Sequence, residues 1–379
     1  MKKITSKQRK KDIRIGYLHR SGLSRKHKKL RNFDKKIRSS FKVNDWIQKN
    51  IQYGLNAYVS NHKVSLSLPK TMNFSSHYES TVLHLIAIRK LAAENCRSKL
   101  MFKLRAVNFD NLENISTSAA LVLTAEISKW DDTVRKALRF NIEKWKPHII
   151  RQLYDLGYFE LFKNNPFKNY NIELNKYDDV KLVRYIKGNC GDNEKARILK
   201  EEIKTIVGED INKWTFLHSG LTEAITNVTH HAYPDKISCS TDEKNWYLSG
   251  SYQQDTKTLK IVFYDQGIGI PKSLPASKIW EKALVILSKL PIVDRKKDEV
   301  LLKAAVEINR TRTGMSDRGK GLQDLLEFIK HRDNGYLSII SLKGLYKYSL
   351  TNGSSQIKTE GFDRKLPGTL IIWNVSLDH

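Results

Sequence analysis

The sequence predicts a mixed α/β (α+β) protein with two folded units behind a basic N-terminal arm. Three patterns carry this expectation. Residues 63–130 alternate strand, helix, strand, helix; an amphipathic helix from Leu217 leads into a hairpin pattern over Trp246–Tyr264; and an apolar strand, Leu370–Val375, lies near the end of the chain. A chain of 379 residues is long enough for two or three domains, each with its own core. With 40% hydrophobic residues, seven Trp and sixteen Tyr, the composition is that of a globular protein and not a disordered one.

The first unit opens with Val64–Leu68, which alternates like a strand and ends at Pro69. A helix is expected over Glu79–Asn95, with Val82, Leu83, Leu85, Ile86, Ile88 and Leu91 mostly on one side. Leu100–Val107 reads as a second strand. Thr117–Trp130 reads as a second helix, entered through Ser116-Thr117-Ser118, whose hydroxyls can cap its first turn. Ile149–Leu161 is helical and includes Leu153-Tyr154-Asp155-Leu156-Gly157-Tyr158. Residues 164–179, rich in Asn, Lys and Tyr and poor in periodic apolar positions, read as a linker.

The second unit begins with a strand over Lys181–Ile186 and a helix over Asp192–Val207. Next comes the helix Leu217–Ala232. At 100° per residue Glu223, Asn227, His230 and His231 share one face, while Leu217, Leu221, Ala224, Val228 and Ala232 form the opposite, apolar stripe. Two strands, Trp246–Tyr252 and Leu259–Tyr264, flank the turn-prone Asp255-Thr256-Lys257, and the second runs into Asp265-Gln266-Gly267-Ile268-Gly269-Ile270-Pro271. An acid at a strand end followed by Gly-x-Gly sets a carboxylate beside backbone that a ligand can approach closely. Asp317-Arg318-Gly319-Lys320-Gly321-Leu322 then opens a helix marked by Leu325, Leu326 and Ile329; free N–H groups at such a start suit a phosphate. Finally, Pro367-Gly368-Thr369 leads into the last strand.

In this order the four stretches resemble the N, G1, G2 and terminal Gly-Thr boxes of the GHKL ATPases and kinases, the group of gyrase, Hsp90, histidine kinases and MutL. The resemblance covers roughly Asp179–His379. It implies a C-terminal Bergerat α/β sandwich with a mixed, mainly antiparallel sheet, over residues 180–379, and ATP with Mg²⁺ as ligands. Asn227 would then ligate Mg²⁺, and Glu223 would orient or deprotonate the attacking water or a protein hydroxyl. Asp265 would accept from the adenine amino group, with Thr369 supporting that contact through water. Gly267 and Gly269 would admit the nucleotide against the backbone, and Gly319 and Gly321 would hold phosphates, with Arg318 and Lys320 adding charge. His231 would reach a phosphate, whereas His230 reads better as packing or surface. Residues 272–315 would form the ATP lid; Arg310, Arg312 and Arg318 read equally as phosphate contacts or as a solvated basic loop.

The earlier unit, residues 46–163, resembles a small STAS-like α/β domain, the fold of anti-sigma-factor antagonists, in the strand before Ile115-Ser116-Thr117-Ser118-Ala119 and the later Leu-x-x-x-Gly-Tyr. Thr117 sits at that family's phospho-acceptor position, but Ser116 stands where the family has Asp and Ala119 where it has Gly. The three hydroxyls also serve simply as helix caps. Because His379 comes four residues after Val375, and residues 164–179 contain no His, the expected type is the anti-sigma-factor kinase. The implied function is a regulatory ATPase or protein Ser/Thr kinase that switches partner proteins. Alternatives are a nucleic-acid-docked ATPase subunit of a DNA-repair or anti-phage module, and a nucleotide-binding scaffold without turnover.

Charge bears on those alternatives. With 67 Lys and Arg against 40 Asp and Glu, the net charge is +27, and residues 1–38 alone hold 16 Lys/Arg against two Asp. This arm, residues 1–45 with its less charged end, reads either as a salt-sensitive binder of phosphate backbones or as a solvated tail. Partners implied are a protein, nucleic acid at residues 1–38 and a second copy of the chain. No apolar run approaches the roughly 20 residues of a membrane span, and no signal-peptide core follows the N-terminus, so the expected compartment is the cytoplasm. Cys96, Cys190 and Cys239 are far apart and suggest neither a disulfide framework nor a zinc knuckle.

Overall fold

The structure, a computed structural model, describes residues 42–93, 102–130, 135, 140–167, 180–192, 194–208, 211–234, 244–277, 279–308, 324–332 and 334–377. The arm to residue 41 lies outside them, as do most of the expected linker, the Arg318-Gly319-Lys320-Gly321 stretch, and Cys96 and Cys239.

The chain is mixed α/β, and its main sheet is antiparallel throughout. In the N-terminal half, helix α1 (42–51) precedes strands β1 (Ala57–Ser60), β2 (Lys63–Ser67) and β3 (Thr71–Met72), helix α2 (Tyr78–Ala93), strands β4 (Lys103–Asn108) and β5 (Asn114–Ile115), and helices α3 (Thr117–Ser128) and α4 (Pro147–Leu156). Strands β1 and β2 form an antiparallel hairpin, β4 joins β2 in parallel, and β3 pairs β5 in parallel. A parallel neighbour requires a crossover, which α2 supplies between β2 and β4. As its hydroxyl sequence anticipates, α3 starts at Ser116, whose Oγ accepts from the Ala119 N–H at 3.2 Å. Gly157, at φ 85°, ends α4 in the left-handed conformation, and a 3₁₀ turn over Tyr158–Leu161 finishes what the sequence suggested as one longer helix.

The C-terminal half begins with β6 (Val180–Leu182), β7 (Ile186–Asn189) and helices α5 (Lys195–Val207) and α6 (Trp214–Asn227). Hairpin β8 (Asn245–Gln253) and β9 (Thr258–Asp265) follows, then α7 (Trp280–Ser288), α8 (Asp298–Glu307), α9 (Asp324–Lys330) and the long strands β10 (Gly335–Thr351) and β11 (Ser354–Ser376). Strand order is β10-β11-β9-β8-β6, with β7 also on β8. Strand β11 is far longer than the expected Leu370–Val375, and β10 has no counterpart among the expected strands. The overlooked signal is Asn352-Gly353, both at positive φ (48° and 75°), a two-residue turn that reverses an antiparallel pair. Polar residues over 354–365 hide the strand, because most of the β11 side chains here are exposed and the segment is held by its backbone ladder to β10, whose Tyr346, Tyr348 and Leu350 are buried.

Alternation along the strands sends side chains to two different cores. Leu259, Ile261 and Phe263 of β9, with Ile371, Trp373 and Val375 of β11, join the helical layer of α5, α6, α8 and α9. On the other face Val262, Tyr264, Leu370 and Ile372 join the apolar cluster of α2, α3 and the N-terminal strands. The sheet is thus the middle of three layers, with the N-terminal half packed on one face of it and the helical layer on the other. Tyr78 at the start of α2 ties the halves together: its hydroxyl lies 3.1 and 3.0 Å from the Leu342 and Arg364 carbonyls and accepts from the Leu366 N–H, while its ring stacks 3.6 Å from Phe362. No helix among the described residues is long and apolar enough to cross a membrane.

Candidate functional site

The site is built around the end of β9. Asp265 is buried with 4% exposure, and its Oδ1 accepts the Gly267 N–H at 2.8 Å, a short Asx-type turn that aims the carboxylate back over the loop. Thr369 is its direct cross-strand partner on β11, and both the hydroxyl and the backbone of Thr369 hydrogen-bond to the carboxylate. Burial outweighs these donors and pushes the Asp265 carboxyl up to about 6. The acid and the threonine, more than 100 residues apart in sequence, therefore form one polar pair in an apolar sheet.

Ser341 of β10 completes the pair's surroundings and carries no sequence signal, being one hydroxyl in a strand without a motif. Its Oγ lies 3.1 Å from Thr369 Oγ1, accepts the Ile270 N–H at 2.9 Å and donates to the Gly368 carbonyl at 3.1 Å. It sits where the β10–β11 register shifts, between Ser341 and Leu342. Such a bulge lets one side chain gather groups from two neighbouring segments. Gly269 opens the helical turn Ile270–Ser273 at φ 87°, a conformation that costs a side chain dearly.

Glu223 and Asn227 lie one turn apart on α6, both half-buried, with Asn227 Nδ2 donating to Glu223 Oε1 at 2.8 Å. Directly after Asn227 the helix widens into a π turn, Val228–Ala232, instead of continuing as the α-helix the sequence suggested. π turns relocate the side chains that follow them and concentrate at functional sites. Here the turn brings Ala232 against the loop after β9: its carbonyl accepts the Ile268 N–H at 2.9 Å, and a Cβ on Gly267 would stand 2.5 Å from the Ala232 Cβ. Gly267 is thus the residue that lets the helix end and the Asp265 loop meet. Tyr233 fastens the joint with its hydroxyl, which donates to the Asn245 carbonyl at 2.8 Å and accepts the Gln266 N–H at 3.2 Å.

His230 is exposed and His231 half-buried, their rings 6.1 Å apart. Burial, with His230 as its neighbour, lowers the His231 pKa below its ordinary value, which favours the neutral imidazole. Thr117 is buried, and its hydroxyl donates to Ser251 Oγ on β8 at 3.2 Å. Arg310, Arg312, Arg318, Gly319, Lys320 and Gly321 lie outside the described residues. Residues 279–308, within the stretch expected as a lid, are largely helical, and α8 packs its Leu302 and Val306 into the core. Among the described residues no cluster of three His, Cys, Asp or Glu forms a metal cage.

One feature of the site has no counterpart in the sequence motifs. Glu126 of α3, from the other half of the chain, is buried beside Asp265's two neighbours. It accepts from Tyr264 Oη at 3.0 Å, from Gln266 Nε2 at 2.9 Å and from both Nε and Nη2 of Arg89 on α2. Burial alone would raise the Glu126 pKa, but the Arg89 charge and these donors hold it below the ordinary carboxylate range. No protein-family model matches this chain, and no curated protein is significantly similar to it.

Proposed function

We propose that the chain binds ATP with Mg²⁺ as a GHKL-type switch, a regulatory ATPase or protein Ser/Thr kinase that acts through partner proteins. The observation that carries the reading is the buried Asp265 carboxylate, bracketed by Gly267 and Thr369 and joined through Ala232 to the helix bearing Glu223 and Asn227. The residues fit the ligand in kind. A buried acceptor with fixed orientation suits an amino group such as that of adenine, and an amide oxygen suits a hard cation that keeps phosphate and water as its other ligands.

Each residue then has one task. Asp265, held by the Gly267 N–H and Thr369, orients and selects the base. Asn227 presents its oxygen to the metal while its Nδ2 stays on Glu223. Glu223, half-buried on the same face, holds the attacking water or hydroxyl and takes its proton. Mg²⁺, when bound, supplies charge neutralisation between phosphates. The link from Glu126 to both neighbours of Asp265 favours a regulatory output, since a shift at the base would be felt in the N-terminal half.

The test is Mg-ATP binding and turnover by the purified full chain beside Asp265→Asn and Glu223→Ala. The reading expects binding to be lost in the first and turnover in the second, with γ-phosphate found on a protein if the chain is a kinase and free in solution if it is an ATPase. No binding by the wild-type chain would overturn it. The net charge of +27 favours a second reading, a nucleic-acid-docked ATPase, in which residues 1–38 hold the phosphate backbone.

A further inference from the structure

On the sheet face covered by the N-terminal half, the cover stops short of the β8–β9 hairpin. The inner-facing side chains change character where it stops. Val262 and Tyr264 lie under α2 and α3, but the next inward residue of β9 is Lys260, in one cross-strand row with Leu182, Ser251 and Asn374. Beside this row Gln253 pairs with Thr258. Above it stand the start of α3, with Ser116 and Thr117, and the α4 residues His148, Arg151 and Gln152. Together these enclose a cleft of about 650 Å³, within the ~300–1,000 Å³ typical of small-molecule pockets.

The chemistry of the lining is one-sided. No Asp or Glu among the described residues lines the cleft, whereas Lys260, Arg151 and His148 all do. The Lys260 ammonium makes no hydrogen bond or ion pair with any described residue, and its burial lowers its pKa, a cost that an anion in the cleft would offset. Arg151 is held by its Nε on Asp155 Oδ2 at 2.5 Å, and His148 by its Nε2 on the Glu113 carbonyl at 2.7 Å, so both are set in place by groups outside the cleft. Thr117 and Ser251 add a hydrogen-bonded pair of hydroxyls between wall and floor. The lining thus combines a cation from the sheet and one from α4 with hydroxyls of α3 and β8, the donor set that a phosphate takes.

We propose that this cleft binds a phosphorylated small molecule, with the phosphate between Lys260 and Arg151 and a polar body against Gln152, Gln253 and Asn374. The cleft is far larger than inorganic phosphate requires, and the Gln152, Gln253 and Asn374 amides in its lining are donors and acceptors for hydroxyls of the kind a sugar carries. The site is separate from the Asp265 loop. It lies between the two halves of the chain, where a bound ligand bridges α4 to the sheet.

The test is calorimetric titration of the full chain with inorganic phosphate, ribose 5-phosphate and ribose. Saturable binding of ribose 5-phosphate is expected, with weaker binding of phosphate and none of ribose. Lys260→Met, which keeps the length and apolar stem of the side chain, and Arg151→Gln are each expected to weaken ribose 5-phosphate binding by roughly tenfold or more, as loss of a charge-assisted contact does. Circular dichroism and a melting curve establish that each variant is folded; should Lys260→Met not fold, Arg151→Gln on α4 decides. Binding that survives Arg151→Gln unchanged, or no saturable binding of either phosphate probe by the wild-type chain, overturns the proposal.

Discussion

Glu126 and Gln266 stand 140 positions apart in sequence, yet Gln266 Nε2 donates to Glu126 Oε1 at 2.9 Å in the buried seam between the two halves of the chain. The same carboxylate takes Tyr264 from the other side of Asp265 and the guanidinium of Arg89. A carboxylate with this many donors is tolerable in an apolar seam only because all of them converge on it.

Removing that charge should therefore be costly. Glu126→Gln is expected to destabilise the chain by about 3 kcal/mol, the scale for breaking one side of a buried pair. Chemical denaturation measures it; a loss below ~1 kcal/mol would mean that the network is worth no more than a surface contact. Because the Glu126 pKa lies below the ordinary range in the folded chain, the stabilisation is complete at neutral pH and is lost as pH falls below about 4.3.

Asp265 behaves in the opposite sense. Its carboxyl rises from an ordinary 3.8 to about 6 on folding, so its favourable contribution is present below pH 3.8 and is lost as pH rises through 6. Relative to Asp265→Asn, the wild-type chain should lose on the order of 3 kcal/mol across that interval, from a shift of about two units. Parallel denaturation curves of the two proteins between pH 4 and 7 provide the check, and a constant difference would contradict it.

The same titration bears on ligand binding. Below about pH 6 the carboxyl carries a proton and stops being a pure acceptor. Mg-ATP affinity is therefore expected to weaken as pH falls from 7 to 5, a trend that calorimetry at several pH values can read. A flat profile would separate Asp265 from base recognition.

Gly267→Ala forces a methyl group to within 2.5 Å of both the Ala232 Cβ and its carbonyl oxygen. The backbone bond from Ile268 to Ala232 then has to open, at a cost of about 1–3 kcal/mol for overpacking. Stability and Mg-ATP binding should fall together, whereas Gly353→Ala, in the exposed hairpin turn, should leave nucleotide binding intact. Melting temperature and binding isotherms on both variants distinguish the two effects.

Deleting residues 1–38 removes 16 of the 67 basic side chains. If the arm holds nucleic acid, the full chain binds duplex DNA with an affinity that drops steeply between 50 and 200 mM salt, by roughly 10³ or more for six phosphate contacts, and the deletion abolishes that binding. Filter binding across a salt series measures it, and equal affinity with and without the arm removes the arm from the nucleic-acid reading.

Local chemistry was enough to read several elements from the sequence. The hydroxyl run at Ser116 starts α3, the stripe from Leu217 to Val228 seats α6 on the sheet, and the turn at residues 255–257 reverses β8 into β9. Caps, amphipathic periods and tight turns depend on residues within about one turn of each other, so sequence alone states them. Strand β11 was largely hidden because its polar outer part gains its order from pairing with β10, and the π turn after Asn227 because it answers to the packing of Ala232 on Gly267. Only the tertiary structure could set Thr369 beside Asp265, bring in Ser341, bury Glu126 against Gln266, and leave Lys260 in a cleft where no described residue offers a carboxylate. These are relations between side chains on different strands and layers, decided by sheet register and by which half of the chain covers which face.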